Sequence, residues 1–314
     1  MSIGVLYEHP EWFVPLFRAL EHRGVAYERV DAAALAWNPS VTPAYHLLFN
    51  RMSPSAYLRG HAHAIRATSA YLDYISSRGI PIVNGREAYA LELSKSRQLD
   101  LLQHLGVRHP TSRVINDAAR ALEAAAELRF PVLVKPNIGG SGARIQRFDT
   151  IESLDAAATE GRIDLGIDGI ALVQELLPAR GGSFTRIEIL EGEILYAIRM
   201  TPPPGHGFNL CPADICRTPA DAPAGFCPAK PSMAIEATTI PAAVAEQALA
   251  TAAVGGLDIC GIEYLIDDRD GNAYVYDINA LSNFVTDAPA IVGFDPYERL
   301  VNYLAARLAE VAAV

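Results

Sequence analysis

Lysine is nearly missing from this chain. Of its 26 basic residues only Lys95, Lys135 and Lys230 are lysines; the rest are arginines. That scarcity makes each surviving lysine informative. Basic charge is also in deficit: 36 acidic residues against 26 basic ones leave a net charge of −10. Polyanions are repelled by such a surface, which excludes a general nucleic-acid binder. Four cysteines in 314 residues are too few for a disulfide framework. No apolar run approaches the roughly 18–20 residues that span a bilayer. The start, "MSIGVLYEHPEWF", has no basic segment leading into an apolar one. The expectation is a reduced, cytoplasmic protein with neither membrane nor nucleic-acid partners.

Half of the residues are hydrophobic and a fifth are charged, the composition of a folded protein. The length exceeds one ordinary core and suits two or three packed subdomains. Short apolar strands at 2–7, 27–31, 45–52 and 80–85 alternate with helical patterns at 12–24 and 56–79, which predicts a small α/β domain with a parallel sheet. No GxGxxG follows the first strand, so this is not a plain dinucleotide domain. A helix over 90–106, strands at 112–116, 131–137, 143–149 and 170–177, and helices over 117–129 and 151–159 predict a second, α+β unit, with Asp117 as an N-cap. The stretch 182–200 alternates like an antiparallel hairpin turning at "EGE". Residues 201–231 are rich in proline and hold Cys211, Cys216 and Cys227, which reads as a loop or insertion. A helix over 241–255, strands at 259–268 and 272–280 and a final helix over 295–312 complete the chain.

Lys135 stands at the end of an apolar strand, directly before a glycine loop: "VLVKPNIGGSGARI". Gly139, Gly140, Ser141 and Gly142 can turn tightly and gather backbone N–H groups into one concavity, which suits a phosphate, with Lys135 adding a fixed charge. The order differs from the Walker motif, where the lysine follows the glycines. A plain hairpin turn is the competing reading. In "GIEYLIDDRDGNAYVYDINA", Glu263 falls opposite Asp277 and Asn279, and the last two share a strand face. Acids on strands that otherwise read apolar repel unless a cation joins them, and an all-oxygen set suits Mg2+; a solvated hairpin face is the alternative. In "VQELLP", Gln174 and Glu175 end an apolar strand that offers backbone groups to a flat ring.

In combination, "ELSKSRQ", "VLVKPNIGGSGARI", "VQELL", an arginine-bearing hairpin and "GIEYL…VYDIN" resemble the ATP-grasp ligases, most closely the glutathione-synthetase and RimK-type branch. The resemblance covers essentially the whole chain. It implies an α+β ATP-grasp fold: a preATP-grasp α/β domain over 1–92, a small subdomain with the glycine loop over 93–175, and a C-terminal subdomain over 176–314 that carries the metal site and the 201–231 insertion. It implies ATP and Mg2+ (or Mn2+) as cofactors, and amide formation from a carboxylate and an amine through an acyl phosphate, releasing ADP and phosphate. The substrates would be small molecules or peptides. Modification of a protein or ribosomal peptide, and a regulatory ATP binder without ligation, are the alternatives. Relatives are often dimers or tetramers.

The same resemblance implies roles. Lys95 and Lys135 would reach the ATP phosphates, the Gly139–Gly142 loop would cover them, and Gln174, Glu175 and Leu177 would line the adenine and ribose pocket. Glu263, Asp277 and Asn279 would hold the metal. Arg186 and Arg199 would act on phosphates and the intermediate, with Ser282 and Asn283 beside them. Relatives commonly carry an acid before the first of these arginines, where this chain reads "GGSFTR", and Asp where it has Glu263. Asn50, Arg51 and Ser53 follow a strand of the parallel sheet, where ligand crevices form; Arg51 suits a substrate carboxylate, against an N-cap and turn. The spacing of Cys211, Cys216 and Cys227 is wide for zinc, and His206 reads as a loop histidine. His61 and His63, two apart in a helix, do not share a face.

Overall fold

The computed structural model describes residues 1–140, 142–205, 207–208, 210–212 and 233–313. Ser141, His206, Cys216, Cys227 and Lys230, with most of the 201–231 insertion, lie outside the described residues.

Three sheets organise the chain. The first is parallel and holds β1 (Ile3–Tyr7), β2 (Tyr27–Asp31), β3 (Leu47–Asn50) and β4 (Ile82–Val83) in the order β2-β1-β3-β4. β1 and β3 are buried at every position, as strands covered on both faces must be. Helix α1 (Val14–Arg23) stops at Gly24, whose φ of 70° is the left-handed conformation that glycine adopts at no steric cost. The helix expected over 56–79 is broken. A 3-10 turn, Pro54–Arg59, ends at Gly60, and α2 (Ala62–Ser77) starts afresh. His61 is therefore the residue before the helix, not inside it.

The helix expected over 90–106 is likewise two, α3 (Arg86–Glu92) and α4 (Lys95–His104). The hydroxyl of Ser94 accepts from the Arg97 N–H and caps α4, so Lys95 becomes its first residue. The second sheet holds β5 (Ser112–Ile115), β6 (Val132–Pro136), β7 (Gln146–Phe148) and β8 (Ala171–Glu175), antiparallel in the order β5-β8-β6-β7. Two helices pack on it. α5 (Ala121–Ala125) is shorter than expected and follows a turn capped by Asp117; α6 (Ile151–Thr159) is capped by Thr150.

The third sheet is antiparallel: β9 (Phe184–Leu190), β10 (Glu193–Thr201), β11 (Ala234–Ala237), β12 (Ile259–Ile266) and β13 (Ala273–Asn279), in the order β11-β10-β9-β12-β13. β11 and the short helix α8 (Ala288–Val292) were not legible in the sequence. α7 (Ala242–Val254) covers one face of this sheet, and α9 (Pro296–Ala312) ends the fold.

The first and third sheets share a core. Ile3, Val5 and Phe49 pack in one cluster with Ile198, Met200, Leu300 and Leu304. The buried side chain of Asn84 ties the same two units. Its amide donates to the carbonyls of Ile259 (2.8 Å) and Ala280, and its oxygen accepts from the N–H groups of Asp258 (3.0 Å) and Ile259 (3.1 Å). The second sheet has its own cluster, including Val132, Val134, Phe148, Leu154 and Val173.

Candidate functional site

The pairing of β12 with β13 sets Glu263 opposite Asp277 and Gly261 opposite Asn279. Both carboxylates face a cavity of about 700 Å³ enclosed between the second and third sheets and the front domain. That volume is ample for a nucleotide-sized ligand. Lys95 reaches it from the start of α4, and Lys135 from the end of β6. Lys95 Nζ donates to Asp277 Oδ1, and Lys135 Nζ lies 3.9 Å from the same oxygen while donating to the Tyr276 carbonyl at 3.1 Å.

The electrostatics divide into two groups. Burial opposes ionisation of Asp277, but Lys95 and Lys135 outweigh it and hold the carboxyl below its ordinary range. Burial also works against the charge of Lys95, and Asp277 raises it back above the usual lysine value. Lys135 is less well compensated, and burial pushes it down to about 8. In the other group, Arg186 donates through Nε to Glu188 Oε1 (2.5 Å), through Nη1 to Glu263 Oε1 (2.6 Å) and through Nη2 to Ser282 Oγ (2.6 Å). Ser282 in turn donates to Glu188 Oε2 at 2.6 Å. Burial raises the Glu263 carboxyl, with the Asp277 charge adding to the rise against the pull of Arg186.

Gly261 makes the second group fit. A Cβ there would lie 2.6 Å from Cζ of Arg186. Gln98 fixes the level of α4 against β13, donating to the carbonyls of Leu91 and Ile278 (2.9 and 2.8 Å) and accepting from Ile278 N–H (3.3 Å).

Glu263, Asp277 and the Asn279 amide supply oxygen donors from one hairpin. The Asn279 Nδ2 lies 3.3 Å from Glu263 Oε1, which leaves its carbonyl oxygen directed elsewhere. Among the described residues no group of three or more His, Cys, Asp and Glu side chains is placed to hold a metal. Two carboxylates and an amide therefore do not make an all-protein cage. They do fit Mg2+, which is usually held by one or two carboxylates together with substrate phosphates and water.

The glycine loop covers this cluster. Gly139 approaches Lys95, with an added Cβ 3.4 Å from its Cε, and Gly140 lies against the front domain, where a Cβ would meet that of Ser55 at 2.7 Å. Gly142 has φ 68°. Asn137, at the loop's base, clamps α4: its Oδ1 accepts from Ser96 N–H (3.0 Å) and Ser94 Oγ (3.2 Å), and its Nδ2 donates to Asp168 Oδ2 (2.8 Å). At the opposite end of the cavity lie Gln174, Glu175 and Leu177, with Leu133, Leu176 and Leu265 among the apolar lining. Gln174 Nε2 donates to Ser112 Oγ (2.9 Å) and Glu175 Oε1 accepts from Arg129 N–H (3.1 Å).

The structure thus gathers Lys95, Lys135, Gly139, Gly140, Gly142, Gln174, Glu175, Leu177, Arg186, Glu263, Asp277, Asn279, Asn283 and Ser53 around one cavity. Arg199 is a correction. It is half exposed and donates to Glu236 Oε1 (3.1 Å) and Thr238 Oγ1 (3.2 Å). A bulge between Ile194 and Tyr196 shifts β10 by one residue against β9, so Arg199 pairs with Thr185 and turns to the face away from Arg186. Asn50 is a second correction. It is fully buried, donates to the Asn84 carbonyl (3.1 Å) and accepts from Met52 N–H (3.1 Å), which makes it part of the turn after β3. Arg51 is buried behind the cavity wall, not in it. Ser53 caps the turn that follows, accepting from Ser55 N–H. Cys211 lines the cavity.

Sequence reasoning missed Glu188 and Glu92. Glu188 is two residues from Arg186 on a strand, hence on its face, and that alternation was available. Glu92 lines the cavity and accepts from Leu281 N–H at 3.2 Å. Burial raises its carboxyl to about 7, with Lys95 opposing the rise and Asp277 adding to it. Because the folded value exceeds the unfolded one, ionised Glu92 costs stability, an effect that builds between about pH 4.5 and 7 and is complete above. Glu92→Gln should therefore raise the melting temperature at pH 8, with the gain vanishing towards pH 4.5. A gain that persists unchanged at acidic pH would rule out this carboxyl as its source.

No protein-family model matches the chain. A D-alanine–D-alanine ligase from Ectopseudomonas mendocina (strain ymp) is 33% identical over 131 residues, which cover 41% of this chain and 39% of the relative's length. The match thus spans well under half of that protein. Among solved structures, D-cycloserine synthetase DcsG superposes with a TM-score of 0.70 at 18% identity, over 98% of this chain and 100% of that one. The ATP-grasp ligase PsnB, complexed with a phosphomimetic variant of its minimal precursor, Mg and ADP, gives 0.66 at 21% identity, over 97% and 98%. With three sheets in this order and a cavity roofed by a glycine loop between them, the chain has the ATP-grasp fold.

Proposed function

We propose that this protein is an ATP- and Mg2+-dependent carboxylate–amine ligase that forms an amide or peptide bond through an acyl phosphate and releases ADP and phosphate. The observation that carries the reading is the convergence of Lys95 and Lys135 on Asp277, with Glu263 and Asn279 on the same hairpin, beneath a glycine loop. The likeness in sequence to D-alanine–D-alanine ligases, which join two amino acids, supports the same chemistry.

A carboxylate must approach a triphosphate, and both are anionic. Glu263, Asp277 and Asn279 would hold Mg2+, which would supply charge neutralisation at the phosphates. Lys95 and Lys135, which meet at Asp277, would contact phosphate oxygens. Each well-placed charge of this kind contributes roughly 3 kcal/mol at the transition state. Gly139, Gly140 and Gly142 let the loop backbone close over the triphosphate and exclude water, which would hydrolyse the activated acid. Gln174, Glu175, Leu177 and their apolar neighbours hold the adenine and ribose. Arg186 stays tied to Glu188, Glu263 and Ser282 and orients Glu263, while Asn283 faces the substrate. A peptide acceptor is the second reading, supported by the likeness to PsnB, which has been solved with a precursor peptide.

The test is a screen of amino acids and short peptides for ATP-dependent phosphate release, with product mass as the readout. At least one acid–amine pair should yield ADP and a product lighter than its two substrates together by one water. Lys135→Ala should abolish that signal. Nucleotide binding with no ADP from any pair would favour a regulatory ATP binder instead.

A further inference from the structure

The first four backbone N–H groups of an α-helix have no partner inside it. At the start of α4 all four are taken. Ser94 N–H donates to the Leu91 carbonyl (3.2 Å), and Arg97 N–H to Ser94 Oγ (3.3 Å). The two between them go to one residue of another element. Lys95 N–H donates to the Asn137 carbonyl (3.3 Å), and Ser96 N–H to Asn137 Oδ1 (3.0 Å). Ser94 Oγ donates to the same Oδ1 at 3.2 Å. Asn137 is only 4% exposed, and buried N–H groups that lose their acceptor destabilise whatever they belong to. Charge makes the arrangement more demanding. Lys95 is the first residue of α4, the end where the helix dipole disfavours a cation. Asn137 brings two oxygens, the negative ends of two dipoles, to that turn.

Asn137 is itself held. Its N–H donates to the Ile170 carbonyl (2.9 Å), which extends the pairing of β6 with β8. Its Nδ2 donates to Asp168 Oδ2 (2.8 Å). A carboxylate only accepts, so Asp168 dictates that the amide turns its oxygen, not its nitrogen, to α4. In the chain Asn137 falls midway between Lys135 and Gly139, and an added Cβ on Gly139 would lie 3.4 Å from Lys95 Cε. Asn137 does not itself line the cavity.

Resting on the ligase reading, we infer that Asn137 is a positioning residue: it builds the first turn of α4 on the base of the glycine loop, so that Lys95 and the loop are set in the cavity as one unit. Asn137 acts through Lys95. Asp168 acts one step further back, by holding the amide in the orientation that serves α4.

The experiment measures affinity for a non-hydrolysable ATP analogue with Mg2+ in the wild type, Asn137→Ala, Lys95→Met and the double variant. Asn137→Ala should weaken binding roughly tenfold, the scale of a buried hydrogen-bonding group left without its partner. In the Lys95→Met background the same substitution should change affinity by less than about twofold, because a residue that acts through another then has nothing to act on. Losses that multiply in the double variant would overturn the inference. A second readout needs no nucleotide. The chain has three lysines, so protein labelled with 13Cε-lysine gives three signals, and Lys95→Met identifies one of them. Asn137→Ala should move the Lys95 signal toward that of lysine in an unfolded peptide, and Asp168→Ala should move it the same way by less. Thr150→Ala, which removes the cap of α6 on the same sheet, should lower the melting temperature and leave the signal in place. A Lys95 signal unmoved in Asn137→Ala, or moved equally in Thr150→Ala, would overturn the inference. If Lys95→Met binds the analogue as tightly as the wild type, the ligase reading loses its phosphate contact, and the lysine signal alone decides the role of Asn137. If Asn137→Ala does not fold, Asp168→Ala carries both measurements.

Discussion

Asp277→Ala should lower ADP release at least about a thousandfold while the protein still folds. The estimate combines the loss of a metal oxygen with the collapse of the lysine pair, each worth roughly two to three orders of magnitude at a preorganised charged site. Asp277 is the carboxylate that both Lys95 and Lys135 face. Without it, two buried ammonium groups confront each other, and Lys135, already down at about 8, is the one that sheds its proton. ATP affinity in the variant should therefore fall as well, and more steeply on the alkaline side. Asp277→Asn keeps the shape and removes the charge, so it should show the same turnover loss with a smaller change in melting temperature. ATP turnover within tenfold of the wild type would remove Asp277 from the metal and phosphate site.

Gly261→Ala should damage both stability and activity from a position whose effect runs through Arg186. The added methyl needs the space that the Arg186 guanidinium fills. That guanidinium is the movable end of its side chain, but Glu188, Glu263 and Ser282 hold it. Displacing it leaves two buried carboxylates short of their counter-charge, a loss of about 3–5 kcal/mol where a buried pair is broken. The expected results are a melting temperature lower by several degrees at neutral pH and activity reduced by more than tenfold. Since Glu263 is then protonated more readily, part of the stability should return on acidification. An unchanged melting temperature would mean that Arg186 is not bound as described.

The parts of the site that could be read from sequence are those where local chemistry contradicts local pattern. Lys135 ends an apolar strand, glycines follow it, and Asp277 and Asn279 interrupt a hairpin that is otherwise apolar and aromatic. Strand alternation then places Glu263 opposite Asp277, as the pairing has it. Arg199 went wrong for the complementary reason. One extra residue near Leu195 reverses which side of β10 faces the cavity, and nothing in "EILYAIRM" announces a bulge. The helix breaks at Gly60 and Ser94 were marked by residues that favour ends over interiors, yet the apolar spacing continued across them. The burial of Arg51 had no local signal, because its surroundings come from Phe13, Phe49 and Asn283, far apart in the chain.

The apolar cluster that runs through Ile3, Phe49, Met200 and Leu300, with Asn84 stitched to Ile259 and Ala280, bears on engineering. The first ninety residues cannot be lifted out as a cassette, because their hydrophobic interior is completed by strands and a helix that arrive two hundred residues later. A chimera that grafts the front of a relative onto this chain to change its substrate would have to transplant the matching face of β10 and α9, or it would aggregate.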